Sequence, residues 1–244
     1  MGMTKTAVGL ETKGKGKRKG IVMKSYDTYI FDLDGTLLDT LDDLAAAVNH
    51  VMRTFRWPEH SRDAVRRMVG NGVRVLMERA VPGGADNAQL EAALAAFRSY
   101  YLQHSMDTTR PYYGITDMLQ ELKARGCRTA VVSNKFDAAT KQLCAYYFGT
   151  LIDVAVGEHE AEGIRKKPAP DTVVEALRQL GVDGDGAVYV GDSDVDVATA
   201  RNSHLPCISV LWGFRDREFL AAHGATTFVD TPQVITQLSQ DVGV

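Results

Sequence analysis

The sequence predicts an α/β fold, a Rossmann-like parallel sheet flanked by helices, with an inserted all-helical cap domain. Three observations carry this reading. Short β-branched apolar runs alternate with amphipathic stretches of helical length along most of the chain. The runs are short and bounded by polar residues, as strands buried on both faces of a sheet are. Between residues 39 and 109 the alternation stops and helical patterns remain without a convincing strand.

Residues 26–31 give the first strand, and 128–133, 153–157, 187–191 and 207–210 give the next four. Helical segments at 115–125, 138–147, 170–180 and 195–202 lie between them, and strand, helix, strand in repetition implies parallel pairing with right-handed crossovers. Helical patterns at 41–55, 61–69, 73–80 and 88–104 make up the insertion. The expected division is a core of residues 24–38 and 110–244 and a cap of residues 39–109. Residues 1–23, with K-G-K-G-K-R-K-G at their centre, carry too much Gly and Lys to pack and read as a disordered basic tail. Open α/β sheets bind ligands outside the carboxyl ends of their strands, so a cap leaving the chain at that edge covers the site.

Composition narrows the function. The 244 residues are 45% hydrophobic and 24% charged with net charge −3, a globular balance. Seven of the 28 basic residues fall in the first 24 positions, so the remainder is acidic and offers no nucleic-acid surface. Cys127, Cys144 and Cys207 are widely spaced, odd in number and without a C-x-x-C, and read as buried thiols in a reducing compartment. No apolar stretch is long enough to cross a bilayer and no apolar segment follows the first basic residues. A cytoplasmic protein with no membrane partner, monomeric or homodimeric, is the expectation.

The chemistry is written at the strand ends. In Y-I-F-D-L-D-G-T, Asp32 and Asp34 share one face of an extended segment, Leu33 points to the core, and Gly35 and Thr36 make the turn, an arrangement that suits a nucleophile and its proton partner. The second strand finishes at Ser133-Asn134-Lys135, whose hydroxyl, amide and backbone N–H groups suit a phosphoryl oxygen. In R-K-K-P-A-P, Lys166 and Lys167 precede Pro168, and Lys167 is suited to neutralising phosphate charge. The fourth strand ends in G-D-S-D-V-D, where Asp192, Asp194 and Asp196 offer hard oxygen ligands for Mg²⁺; a calcium loop is disfavoured because Val197 and Ser203 occupy the places of its Gly and Glu. A single parallel sheet gathers these four ends along one edge.

The set D-L-D-G-T, V-V-S-N, K-K-P and G-D-S-D-V-D, in that order, resembles the four motifs of the haloacid dehalogenase superfamily from about residue 24 to the C-terminus. The cap segment V-G-N-G-V-R-V-L-M-E-R-A resembles that of phosphoglycolate phosphatases. The resemblance implies Asp32 as nucleophile, Asp34 as acid/base, Ser133 as phosphate donor, Lys167 as charge stabiliser with Lys166 the neighbouring alternative, and Asp32, Asp34 and Asp192 at the metal, with Asp196 supporting the metal or Lys167. Asn134 from the core and Asn71 and Arg74 from the cap are candidates for contact with substrate. The connector G-E-H-E-A-E-G-I-R is longer and more acidic than is usual in the family.

The expected activity is Mg²⁺-dependent hydrolysis of a small phosphorylated metabolite through an aspartyl phosphate, with 2-phosphoglycolate the first candidate. A phosphosugar mutase of the beta-phosphoglucomutase type and an inorganic pyrophosphatase share that chemistry. A phosphate-responsive binding protein without turnover is the non-enzymatic alternative, and it is disfavoured because Asp32 and Asp34 are both retained.

Overall fold

The structure, a computed structural model, describes residues 26–158, 160 and 163–238. The tail expected at 1–23 lies outside the described residues. In chain order the strands are β1 (Thr28–Phe31), β2 (Leu38–Asp39), β3 (Arg110–Pro111), β4 (Arg128–Phe136), β5 (Val154–Glu158), β6 (Ala187–Gly191), β7 (Cys207–Val210) and β8 (Phe228–Val229). Six of them form one sheet in the order β5-β4-β1-β6-β7-β8. Every pairing in it is parallel.

Around the sheet lie α5 (Ile115–Ala124), α6 (Asp137–Phe148), α7 (Asp171–Leu180), α8 (Asp194–Asn202), α9 (Arg217–Ala222) and α10 (Pro232–Leu238). The two faces of the central strands feed two separate cores. Tyr29, Phe31, Val131, Val188 and Val190 pack with Ile115, Leu119 and Ile235 on one side, while Ile30, Ala130, Val132 and Tyr189 pack with Val173 and Ala176 on the other. Period-two side-chain alternation in strands with apolar residues on both faces requires cover on each, and the helices supply it.

The insertion contains α1 (Leu41–Thr54), α2 (Arg62–Met68), α3 (Val73–Ala80) and α4 (Leu90–His104). Leu44, Val48 and Val51 on α1 recur at helical spacing and join Val65, Leu76, Met77, Leu94 and Phe97 in a third core, which Phe214 from beyond β7 also enters. The chain leaves and re-enters the sheet domain side by side, since β2 and β3 pair antiparallel as Leu38 with Pro111 and Asp39 with Arg110. The buried Asp43 carboxylate fastens this junction by accepting from the backbone N–H and hydroxyl of both Thr108 and Thr109.

Several bounds differ from those the sequence predicts. The second long strand continues past residue 133 to Phe136, with a register irregularity against β5 between Val132 and Phe136. The polar triplet Ser133-Asn134-Lys135 therefore belongs to strand β4, and its polarity reflects the site that it enters. The β2–β3 pair and β8 were not anticipated, because two-residue strands carry no periodic signal.

Candidate active site

Asp32 follows β1 directly. Its N–H donates to the Val190 carbonyl at 2.9 Å, which continues the ladder for one residue beyond the strand and fixes the carboxylate at the sheet edge. The turn that follows needs Gly35: its φ is +87°, and a Cβ there would lie 2.3 Å from Asp192 Oδ2. Thr36 closes the turn and donates to Asp192 Oδ1 at 3.2 Å.

Lys167 lies among the carboxylates with 3% of its surface exposed. Its Nζ is 2.7 Å from Asp32 Oδ1, 2.9 Å from Asp196 Oδ1 and 3.1 Å from the Tyr189 hydroxyl. Burial pulls its pKa down, but the charges of Asp196 and Asp32 outweigh this and hold it above the ordinary lysine value. Lys166 turns away and pairs with Glu160 at 3.3 Å. The adjacent lysines thus have different surroundings, and only Lys167 enters the acidic cluster.

Asp192 follows β6 as Asp32 follows β1. Its Oδ2 accepts from the Phe214 N–H at 2.6 Å. Asp196 is fully committed: Oδ1 accepts from Lys167 and Tyr189, and Oδ2 accepts from the Ser193 N–H at 3.1 Å and the Ser193 hydroxyl at 2.6 Å. That reciprocal capping box starts α8 and turns Asp196 inward. Asp32, Asp192 and Asp196 each offer a carboxylate oxygen within 4.8 Å of the others. Burial, with the charge of Asp196 second, pushes Asp192 up to about 7, and the same two causes raise Asp32 well above the usual carboxylate range against the pull of Lys167. Asp32 and Asp192, two buried carboxylates that accept at most one hydrogen bond per oxygen and so keep lone pairs to offer, and a surplus of negative charge over Lys167 fit a hard divalent cation. The side-chain cluster differs from the expected set, because the Asp34 carboxylate pairs with Lys135 and Asp196 stands in the group instead.

Along β4, Ser133 is buried beside this cluster, and its Oγ accepts from the Lys135 N–H at 3.2 Å. Asn134 works as a bracket. Its Oδ1 accepts from the Lys167 N–H at 2.8 Å, and its Nδ2 donates to the carbonyls of Lys167 at 3.1 Å and Gly70 at 3.2 Å. Lys135 is a site residue that the sequence reading named only as part of the strand end. Its Nζ is 3.1 Å from Asp34 Oδ1 and 2.6 Å from the Tyr101 hydroxyl on α4. A lysine inside a strand buried on both faces was the available signal, since such a group is kept only with partners.

The cap closes over these residues. The cleft has Asp32, Asp34, Ser133, Lys135, Lys167 and Asp192 on its floor and Leu44, Val69, Val73, Leu76, Tyr101, Phe214 and Arg215 on its walls. Asn71 and Arg74 are absent from that lining, which corrects the expectation for the cap. Asn71 accepts from Arg79, and Arg74 pairs with Glu91 and Glu78 on the outside. Carboxylates at positions 78 and 91 lie closer to Arg74 than the site does, so its charge is spent there. Gly70 and Gly72, flanking Asn71, do face the cleft. Arg215, unforeseen in the sequence, reaches from the core to the carbonyls of Arg66 and Val69 at 2.8 Å each, where a cation suits the C-terminal end of α2.

Comparison with known proteins agrees with this geometry. A family model for haloacid dehalogenase-like hydrolases matches residues 29–210. A phosphoglycolate phosphatase of Caulobacter vibrioides is 34% identical over 218 residues, which is 86% of this chain and 91% of that protein. A phosphoglycolate phosphatase of Pseudomonas putida is 32% identical over 212 residues, 84% of this chain and 74% of that protein. A crystal structure from Lactobacillus delbrueckii subsp. bulgaricus, provisionally assigned as a phosphoglycolate phosphatase, superposes with a TM-score of 0.84 at 36% identity and covers 89% of this chain and 99% of its own. The chain therefore belongs to the haloacid dehalogenase-like hydrolases, as a phosphatase.

Proposed function

We propose that this phosphatase hydrolyses a small phosphomonoester with the help of Mg²⁺ and through an aspartyl phosphate on Asp32, and that 2-phosphoglycolate is the favoured substrate. The observation that carries the reading is the Asp32 carboxylate, fixed by Lys167 at 2.7 Å on the floor of a capped cleft with Asp192 beside it. The relatives named for phosphoglycolate support the choice of substrate.

Asp32 is the nucleophile, and an in-line attack on phosphorus breaks the bond to the leaving oxygen while forming the acyl phosphate. Asp32 and Asp192 would hold Mg²⁺, whose charge would offset the repulsion between the Asp32 carboxylate and a phosphate dianion. Lys167 and Ser133 face the transferring oxygens, as prepositioned donors for the charge that develops there. Asp34 protonates the leaving alkoxide and then takes the proton of the water that opens the acyl phosphate. Asn134 acts through the backbone of Lys167. We take residues 39–109 as the cap that excludes bulk water during these steps.

The test is a panel of phosphorylated metabolites with Mg²⁺, comparing kcat/KM for 2-phosphoglycolate, hexose phosphates, nucleotides and pyrophosphate. The reading expects phosphoglycolate to stand at least about tenfold above the rest. A flat profile would remove the assignment of substrate, and turnover that requires a sugar bisphosphate would replace the phosphatase with a mutase.

A further inference from the structure

Lys135 joins the cap to the floor of the cleft through one buried ammonium. It donates to the Tyr101 hydroxyl on α4 at 2.6 Å, lies 4.3 Å from the centre of the Tyr101 ring, and stands 3.1 Å from Asp34 Oδ1. Lys135 is 5% exposed and Tyr101 1%, so the charge depends on these partners in place of bulk water. Burial pushes the Tyr101 hydroxyl up to about 12, which keeps it a neutral phenol whose oxygen accepts from Lys135. The ring is held in turn by stacking on Phe97 at 5.5 Å.

We propose that Lys135 is a positioning residue that makes the acid/base action of Asp34 depend on a closed cap, holding the Asp34 carboxylate in place while Tyr101 is seated against it. This rests on the role given to Asp34 above. If α4 withdraws, the ammonium loses its cap-side acceptor, and the carboxylate and the lysine are free to rearrange together. Two other ties between cap and core pass elsewhere: Arg215 holds the carbonyls of Arg66 and Val69, and Asn134 holds that of Gly70. Neither makes a hydrogen bond to Asp34, so closing the cap and orienting the acid are separable by mutation.

The leaving group provides the readout. An alkoxide needs a proton as it departs, whereas p-nitrophenolate leaves without one. Kinetic constants are measured on 2-phosphoglycolate and p-nitrophenyl phosphate for the wild type, Asp34→Asn, Tyr101→Phe, Lys135→Met and Arg215→Met. Tyr101→Phe deletes one oxygen and keeps the stacked ring, so it carries the test even where Lys135→Met fails to fold. The expected result is that Asp34→Asn, Tyr101→Phe and Lys135→Met lose at least about tenfold more kcat/KM on the alkyl than on the aryl ester, because kcat/KM reports the departure of the leaving group and not the later opening of the acyl phosphate, which both esters share. Arg215→Met is expected to lower both substrates in proportion. Equal losses on both esters for Tyr101→Phe, beside a selective loss for Asp34→Asn, would overturn the coupling and leave the role of Asp34 standing. No selectivity in Asp34→Asn would remove that role and the proposal with it.

Discussion

Lys167 Nζ bridges Asp32 Oδ1 at 2.7 Å and Asp196 Oδ1 at 2.9 Å, so one ammonium holds the last residue of the β1 ladder to the first turn of α8. Asp196 is occupied on both oxygens, which leaves it an anchor for the lysine. Lys167→Met is expected to lower kcat about 10²- to 10³-fold in steady-state assays, and Lys167→Arg is expected not to restore it, because a planar guanidinium does not fit a site shaped for three tetrahedral donors. Lys166→Met, which removes the contact with Glu160, should change kcat/KM by less than about threefold. The reverse order would move the catalytic assignment to Lys166.

The acidic cluster predicts how pH and metal act together. Burial first and Asp196 second raise Asp192 to about 7, and Asp32 is raised in the same direction. The folded state therefore binds these protons more tightly than the unfolded chain does, and the metal-free protein loses stability as pH rises from about 4 through 7. A divalent cation competes with the same protons. Saturating Mg²⁺ is accordingly expected to raise Tm more at pH 8 than at pH 5 in a thermal melt, and equal shifts at the two values would show that these carboxylates do not hold it.

Gly35 carries both a left-handed backbone and a contact that no other residue allows. A methyl group at this position drives Asp192 away from the Phe214 N–H. Gly35→Ala is expected to weaken Mg²⁺ at least about tenfold by isothermal titration, since displacing the groups that orient a ligand costs this much in affinity. Unchanged affinity would show that Asp192 is not a ligand.

At the cap junction, Asp43→Ala deprives the N–H groups of Thr108 and Thr109 of their acceptor. A loss of about 2–4 kcal/mol in urea unfolding is expected, as for other buried groups hydrogen-bonded to a charge. A loss under about 0.5 kcal/mol would mean that the clasp is replaced by water at little cost.

The meeting of Asp32, Ser133 and Asp192 was legible because they sit at or near the ends of strands that parallel topology gathers along one edge. The choice between Lys166 and Lys167 was not, because adjacent residues on an irregular connector have no fixed facing; it took the positions of Glu160 and Asp196 to separate them. The cap failed for a similar reason. Asn71 and Arg74 are polar residues at or near a turn, but partners on α3 and α4 claim them, while Arg215 and Lys135 come from segments distant in sequence. Patterns with a period locate elements, and long-range pairing of charges does not follow from them.

The claim at the centre is that phosphorus passes through the Asp32 carboxylate. The stereochemical course at phosphorus, followed with a phosphorothioate substrate made chiral by sulfur and oxygen isotopes and hydrolysed in isotopically labelled water, tests it directly, since each in-line displacement inverts the centre. Two displacements, to Asp32 and then to water, predict net retention in the released thiophosphate. Net inversion would mean that water attacks the substrate itself and that Asp32 is never phosphorylated.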